Sequence, residues 1–309
     1  MANELRDPWL VAVWPGMGSV ALLAGTYLLQ RLGTQRVGEL NSRDFFEVQN
    51  VEVKNGLATV GRLPRSLFFE WKDPAGRHDL LIFAGEAQPT TGGYALCQRL
   101  LDYAIGRGVK RFFTFAAMAT QLHPGTKPRV FAVATDPASL NQIARTDVEK
   151  LEEGQISGLN GLLLAAGADR GLRGVCLLGE LPFFAVGVPN PRAAQAVLER
   201  FTELADIQID FSELEEQAKA VEANLLQLLE QLTQATGAEM PEEEESPSVP
   251  EKKESAPHLD SKALRRIESM FEKAKQDRSR AFELKQELDR LGIFKQYEDR
   301  FLDLFRKAE

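Results

Sequence analysis

The chain has 309 residues, 44% hydrophobic and 27% charged, proportions ordinary for a globular protein with room for one large domain and something smaller. A net charge of −8 gives no reason to expect nucleic acid or an anionic membrane surface as a partner. The first residues, MANELRDPW, are acidic and polar where a signal peptide would be basic and then apolar, and no apolar run has the length of a membrane span, so a cytoplasmic location is expected.

Leu10 to Trp14 reads as a first strand, and Pro15-Gly16-Met17-Gly18 turns it into an apolar helix from about Ser19 to Leu32. Gly16, Gly18 and Ala21 fit G-x-G-x-x-G/A, and Glu39, ending a second strand, stands where a ribose-binding acid would be expected. The competing reading is a structural turn that lets helix and strand pack closely. From Phe45 the pattern alternates, with Val48, Val51 and Val53 before Asn55-Gly56 and Leu57 and Val60 after it, which predicts a β-hairpin. Arg62 and Arg65 flank Pro64 at its exit as solvated cations, although an arginine beside a cleft can also meet an anion. Ser66 to Trp71 is another short strand.

Leu80 to Phe83 is an unbroken apolar run, the signature of a central strand covered on both faces. It empties through Gly85 into a loop with Glu86, Gln88 and Pro89, after which Thr90 or Thr91 can cap a helix carrying Ala95, Leu96, Leu100, Leu101 and Ala104. Ligands of open α/β sheets gather past the carboxyl ends of strands, so this loop is a cleft candidate. The plainer reading is that Glu86 and Gln88 hold a turn through hydrogen bonds.

Arg111 to Phe115 forms the next strand, with Ala116 to Thr120 as a loop of small residues, and Arg129 to Thr135 a further strand ending at a short helix after Asp136-Pro137. Gly158 and Gly161 open an apolar helix, either to admit a ligand to the backbone or to pack close to the sheet. Gly174 to Gly179 is a strand leading into Glu180, a second Gly-Glu pair that would let Glu86 and Glu180 face one cleft as an acid/base or metal-binding pair. Cys97 and Cys176 have neither metal-site nor redox spacing and read as core residues, so no metal and no cofactor is expected.

Pro191 at the first helical position starts a helix through about Ala205, Ile207 to Ile209 reads as a last strand, and Ser212 with Glu215 as a capping box. The helix it opens carries Leu214, Ala218, Val221, Leu225, Leu228 and Leu232 as a coiled-coil-like seam, lying on its own domain or meeting a second subunit. Residues 236–258 read as a disordered acidic Pro/Glu/Ser linker. Residues 259–309 read as a helical tail with apolar faces at Leu264, Ile267 and Phe271 and at Phe294, Tyr297 and Phe301. Two such helices bury little alone, which makes the tail a candidate for binding a protein partner, and a homo-oligomer is expected.

PGMGSVALLAGTYLL from Pro15, LLIFAGEAQP from Leu80, ISGLNGLLLAAG from Ile156, and LLGELPFF followed by PNPRAAQAVLERF up to Phe201 together resemble the proteasome assembly chaperone 2 family, from about Trp9 to Leu232. The resemblance implies a three-layer α/β/α domain over residues 1–235, with a mostly parallel sheet of the phosphorylase/hydrolase type and helices packed beside it. Members in eukaryotes and archaea help assemble proteasome rings by holding subunits. Archaeal and eukaryotic assembly factors often dock through a C-terminal hydrophobic-Tyr-any tail, a pattern that Phe305-Arg306-Lys307-Ala308-Glu309 does not follow. A non-catalytic binding or scaffold protein is therefore the leading expectation. A small-molecule or nucleotide site at Gly16–Gly18, Gly85–Pro89 and Gly179-Glu180 is the alternative.

Overall fold

Short apolar runs cut by glycine and proline alternate with amphipathic stretches, and the computed structural model turns them into strands and helices in that order. It describes residues 4–48, 51–236, 267 and 269–271. The chain divides into two compact units, Met1–Glu239 and Met240–Glu309. In the first unit β1 (Trp9–Val13) leads to α1 (Val20–Leu32), β2 (Gln35–Glu39), the hairpin strands β3 (Val51–Lys54) and β4 (Leu57–Val60), and β5 (Ser66–Trp71). Next come β6 (Leu80–Gly85), α2 (Gly93–Gly106), β7 (Arg111–Thr120), β8 (Val130–Ala134), α3 (Pro137–Ile143) and β9 (Glu149–Lys150). The unit closes with α4 (Gly158–Ala168), β10 (Arg173–Pro182), α5 (Pro191–Ala205) and α6 (Ser212–Thr236).

Eight strands form one sheet in the order β2-β5-β6-β1-β7-β10-β8-β9. The central four, β6, β1, β7 and β10, are parallel, while β5 and β2 on one side and β8 on the other run antiparallel to their inner neighbours. Strand alternation sorts the side chains into two cores. Val11, Val13, Ile82, Phe113, Val175 and Leu177 pack with α1, α5 and the start of α6. Leu10, Ala12, Phe83, Phe112, Cys176 and Leu178 pack with α2 and α4. The result is the expected three-layer α/β/α arrangement. Leu80, Leu81, Ile82 and Phe83 are fully buried between β5 and β1, as the apolar run required.

Several local expectations are corrected. Ala116 to Thr120 is strand, because β10 runs on to Pro182 and gives each of those residues a ladder partner, from Leu178↔Ala116 to Pro182↔Thr120. Ile207–Ile209 is not a strand; Ile207 instead tucks its side chain under the helices. The residue that caps α2 is Gly92, in the left-handed region at φ 72° and with no side-chain cap bond, so neither Thr90 nor Thr91 caps the helix, and Ala95 is exposed. Ser212 donates its hydroxyl to Asp210, 2.8 Å away, and Asp210 also accepts from the Ser212 N–H at 3.0 Å, so an Asx turn takes the place of the capping box. Leu214, Ala218 and Leu225 on α6 are buried, and the first turns of that seam lie on their own domain, where Leu214 joins the core beneath α5.

Candidate functional site

Because β6, β1, β7 and β10 are parallel, their C-terminal ends deliver Gly85-Glu86, Pro15-Gly16, Thr120 and Gly179-Glu180 to one rim of the sheet. The rim does not bring the two glutamates together. Glu180 lies inside β10, three strands from β6, or about 14 Å at the usual strand spacing. Glu86 and Glu180 also fall on opposite parities of the alternation. The expected carboxylate pair facing one cleft is thus not formed.

Each carboxylate is committed to its own arginine. Glu86 accepts from Arg62 Nη1 at 2.8 Å and from the Arg65 N–H at 2.9 Å. Partial burial pushes its pKa up, but these bonds and the two positive charges hold it below the usual carboxylate range. Glu180 is 1% exposed and accepts from Thr120 Oγ1 (2.7 Å), Arg129 Nη2 (2.7 Å), Arg129 Nε (3.0 Å) and the Arg129 N–H (3.1 Å). Burial alone would raise its pKa, yet the forked Arg129 contact and Thr120 outweigh that and lower it. Arg129, read from sequence only as the start of a strand, is the partner that the Gly-Glu motif required.

Gln88 is a latch. Its Nε2 donates to Pro15 O at 2.5 Å and its Oε1 accepts from the Leu159 N–H at 2.8 Å, which ties the loop after β1 to the start of α4. Gly158, at φ 75°, makes room for it: a Cβ there would stand 2.7 Å from Gln88 Oε1. Gly161 and Gly179 are packing glycines, since a Cβ would meet Ile156 O at 2.1 Å or Ala193 O at 2.6 Å. Behind the rim, Thr114 Oγ1 donates to Asn160 Oδ1 at 2.9 Å, a buried bond joining β7 to α4. The sequence signal for it was a lone amide in the apolar run of α4.

Gly16 is extended at φ −166°, and Gly18 is left-handed at φ 57°. The Gly18 N–H donates to Val186 O and its carbonyl accepts from the Asn190 N–H, both at 2.8 Å, so this loop is bound to the segment before α5. Glu39 sits on β2 at the antiparallel edge, three strands from β1, and pairs with Arg36 at 2.7 Å and Arg65 at 3.1 Å. A dinucleotide fingerprint needs that acid beside β1, and the sheet order separates them.

Two surfaces remain open on the rim. Met17, Phe183, Val186 and Val188 are exposed, at 42%, 53%, 41% and 36%. They form an apolar border along the joined loops after β1 and β10. On the β6 side, an open cleft of about 680 Å³ is lined by Phe45, Phe46, Arg62, Pro64 and the Ala87–Thr91 loop, including Gln88 and Pro89. Gly158, Gly161, Gly179 and Glu180 lie outside it. Among the described residues no group of three or more His, Cys, Asp or Glu is placed to hold a metal ion. Cys97 and Cys176 are buried, and burial pushes the Cys97 thiol up to about 12. Among the described residues no helix is long and apolar enough to cross a membrane. Of the tail candidates, Ile267 and Phe271 lie one helical turn apart and are buried, at 1% and 0% exposure, whereas Leu264, Phe294, Tyr297 and Phe301 fall outside the described residues.

The profile of the PAC2 family matches residues 10–229. An uncharacterised protein of Methanocaldococcus jannaschii is 27% identical over 250 residues, covering 79% of this chain and 92% of its own. The crystal structure of the archaeal proteasome activator PbaB of Pyrococcus furiosus superposes with a TM-score of 0.62 at 29% identity, over 74% of this chain and 96% of that one. A proteasome-assembly chaperone homologue of Mycobacterium tuberculosis shares the fold, with a TM-score of 0.61 at 18% identity, over 71% of this chain and 94% of its own.

Proposed function

The chain belongs to the PAC2 family, and from that premise we propose that it is a non-catalytic, assembly-chaperone-like protein that holds protein partners and associates with copies of itself. The observation that carries this reading is the apolar border of Met17, Phe183, Val186 and Val188 at the sheet rim. Exposed apolar side chains gathered on two joined loops in this way mark a protein contact surface. The similarity to an archaeal proteasome activator supports a role in binding other proteins. In this reading residues 1–235 form the binding domain, 236–258 a linker, and 259–309 a helical tail that adds a second protein contact.

Affinity purification from the native cell tests it. The doubly substituted Met17→Ser, Phe183→Ser chain is expected to lose the partners that wild type and Glu86→Gln retain. Identical partner sets for all three would remove the border from the proposal. A chain cut after residue 236 that stays folded and drops a subset of partners supports the tail contact; an unchanged set refutes it.

The cleft beside Arg62 supports a second reading. Its volume lies in the range of small-molecule sites, and a nucleotide or phosphate there should raise the melting temperature in a thermal-shift screen. That rise should vanish in Arg62→Ala, which removes the cation lining the cleft; no rise with any compound refutes this reading.

A further inference from the structure

The β3–β4 hairpin stands apart from the main sheet as a two-stranded sheet of its own, and every residue of both strands is exposed. Asn55 and Gly56, at φ 52° and 76°, form the two-residue turn, so Lys54↔Leu57 and Glu52↔Thr59 are the hydrogen-bonded pairs. Cross-strand partners share a face. Val51 with Val60 and Val53 with Ala58 therefore make one face wholly apolar, with Val53 71% and Val60 70% exposed. A lone hairpin is marginal in water, and three or more strands with an apolar face are needed for stability.

We propose that β3 is a self-pairing edge: it adds antiparallel to β3 of a second copy of this chain, with Val53 opposite Val53 and Glu52 opposite Lys54. The inference deepens the self-association proposed above by naming its interface. Backbone geometry and charge together select this register, since an axis at Glu52 would also pair the outward groups of Val51 and Val53 but would set Glu52 against Glu52. Glu52 and Lys54 spend their N–H and C=O groups on β4, which leaves those of Val51 and Val53 pointing outward along the open edge. With the two-fold axis at Val53, the outward groups of the two Val53 residues bond each other.

Charge complementarity then commits the edge to a second copy. Glu52 and Lys54 occupy non-hydrogen-bonded positions of the new ladder, where side chains approach most closely, and the symmetry makes two Glu–Lys pairs. The same operation on β4, Leu57-Ala58-Thr59-Val60, yields no charge pairing. The product is a four-stranded sheet, β4-β3-β3-β4, with the valines of both copies on one continuous face. Such an isologous contact closes on itself and does not propagate.

The test is sedimentation equilibrium on the full chain at several concentrations, with circular dichroism to verify folding; the fully exposed hairpin can be altered without disturbing the core. Glu52→Lys alone and Lys54→Glu alone each place like charges opposite at both pairs and should raise the dimer dissociation constant about tenfold or more. The double swap, Glu52→Lys with Lys54→Glu, should restore association, and an equimolar mixture of the two single variants should form a heterodimer tighter than either homodimer. Wild-type association unaffected by any substitution overturns the β3 interface while leaving self-association through another surface intact. A wild-type monomer at all concentrations overturns both. Single variants that weaken association without rescue by swap or mixture overturn the register.

Discussion

Glu180→Gln is the substitution that best measures how the rim is held together. The carboxylate is 1% exposed and receives four hydrogen bonds, three from Arg129 and one from Thr120. The amide keeps the shape and one acceptor oxygen, but it turns two donors toward Arg129 and removes the charge. Breaking one side of a buried pair costs about 3 to 5 kcal/mol. The Arg129 side chain is 55% exposed and stays 3.6 Å from Glu149, so the loss should fall to about 2 to 3 kcal/mol. For a domain of this size that is a fall of roughly 5 to 10 °C in Tm. Urea unfolding of wild type and variant at pH 7 reads the difference directly.

The same pair predicts a pH dependence. The folded pKa of Glu180 lies below its ordinary value of 4.5. Its stabilisation is therefore full above that value and is lost as pH falls through the lowered folded pKa. The gap between wild type and Glu180→Gln should close over that acid window. A loss under about 0.5 kcal/mol at pH 7, or a gap unchanged on acidification, would refute the account of Glu180 as a charge-paired strut.

Three further outcomes follow from other sites. Asp73, buried, accepts from the Ala75 N–H and from the Arg77 N–H and Nε, and these bonds override the cost of burial to hold its carboxyl at about 2. Asp73→Asn should therefore remove stability present at neutral pH and flatten the acid limb of the unfolding curve between about pH 4 and 2; acid titrations that superimpose would contradict this. Gly85→Ala sets a Cβ 2.3 Å from the buried Trp14 ring and should destabilise by about 1 to 3 kcal/mol in chemical denaturation, with a neutral result arguing against the tight packing. Gln88→Ala removes both bonds of the latch and should cost about 1 to 3 kcal/mol; amide exchange at Leu159 should speed up selectively, and uniform exchange across α4 would count against a local latch.

The sequence was most legible where one local rule sufficed. The apolar run Leu80–Phe83 could satisfy its burial only as an inner strand, Asn55-Gly56 could accept positive φ at both positions, and Pro191 could sit only at a helix start. The motif blocks that resemble the family fall on regular elements too, since α1, β6, α4, β10 and α5 carry them. Less legible were features whose cause lies elsewhere in the chain. Ala116 to Thr120 reads as a small-residue loop until β10 is known to run beside it. Glu39 reads as a ribose ligand until β2 is known to hang from β5. Thr90 and Thr91 read as caps, but the left-handed Gly92 set the start of α2 without them.

By itself the sequence determined most of the strands and helices, the inner strand among them, and the family to which the chain belongs, because periodicity, turn chemistry and apolar content act over a few residues. Only the tertiary structure decided the order of the strands, and with it the fate of the charged groups. Whether Glu86 and Glu180 meet each other or separate arginines depends on how many strands lie between them, a property of the sheet that no window along the chain contains.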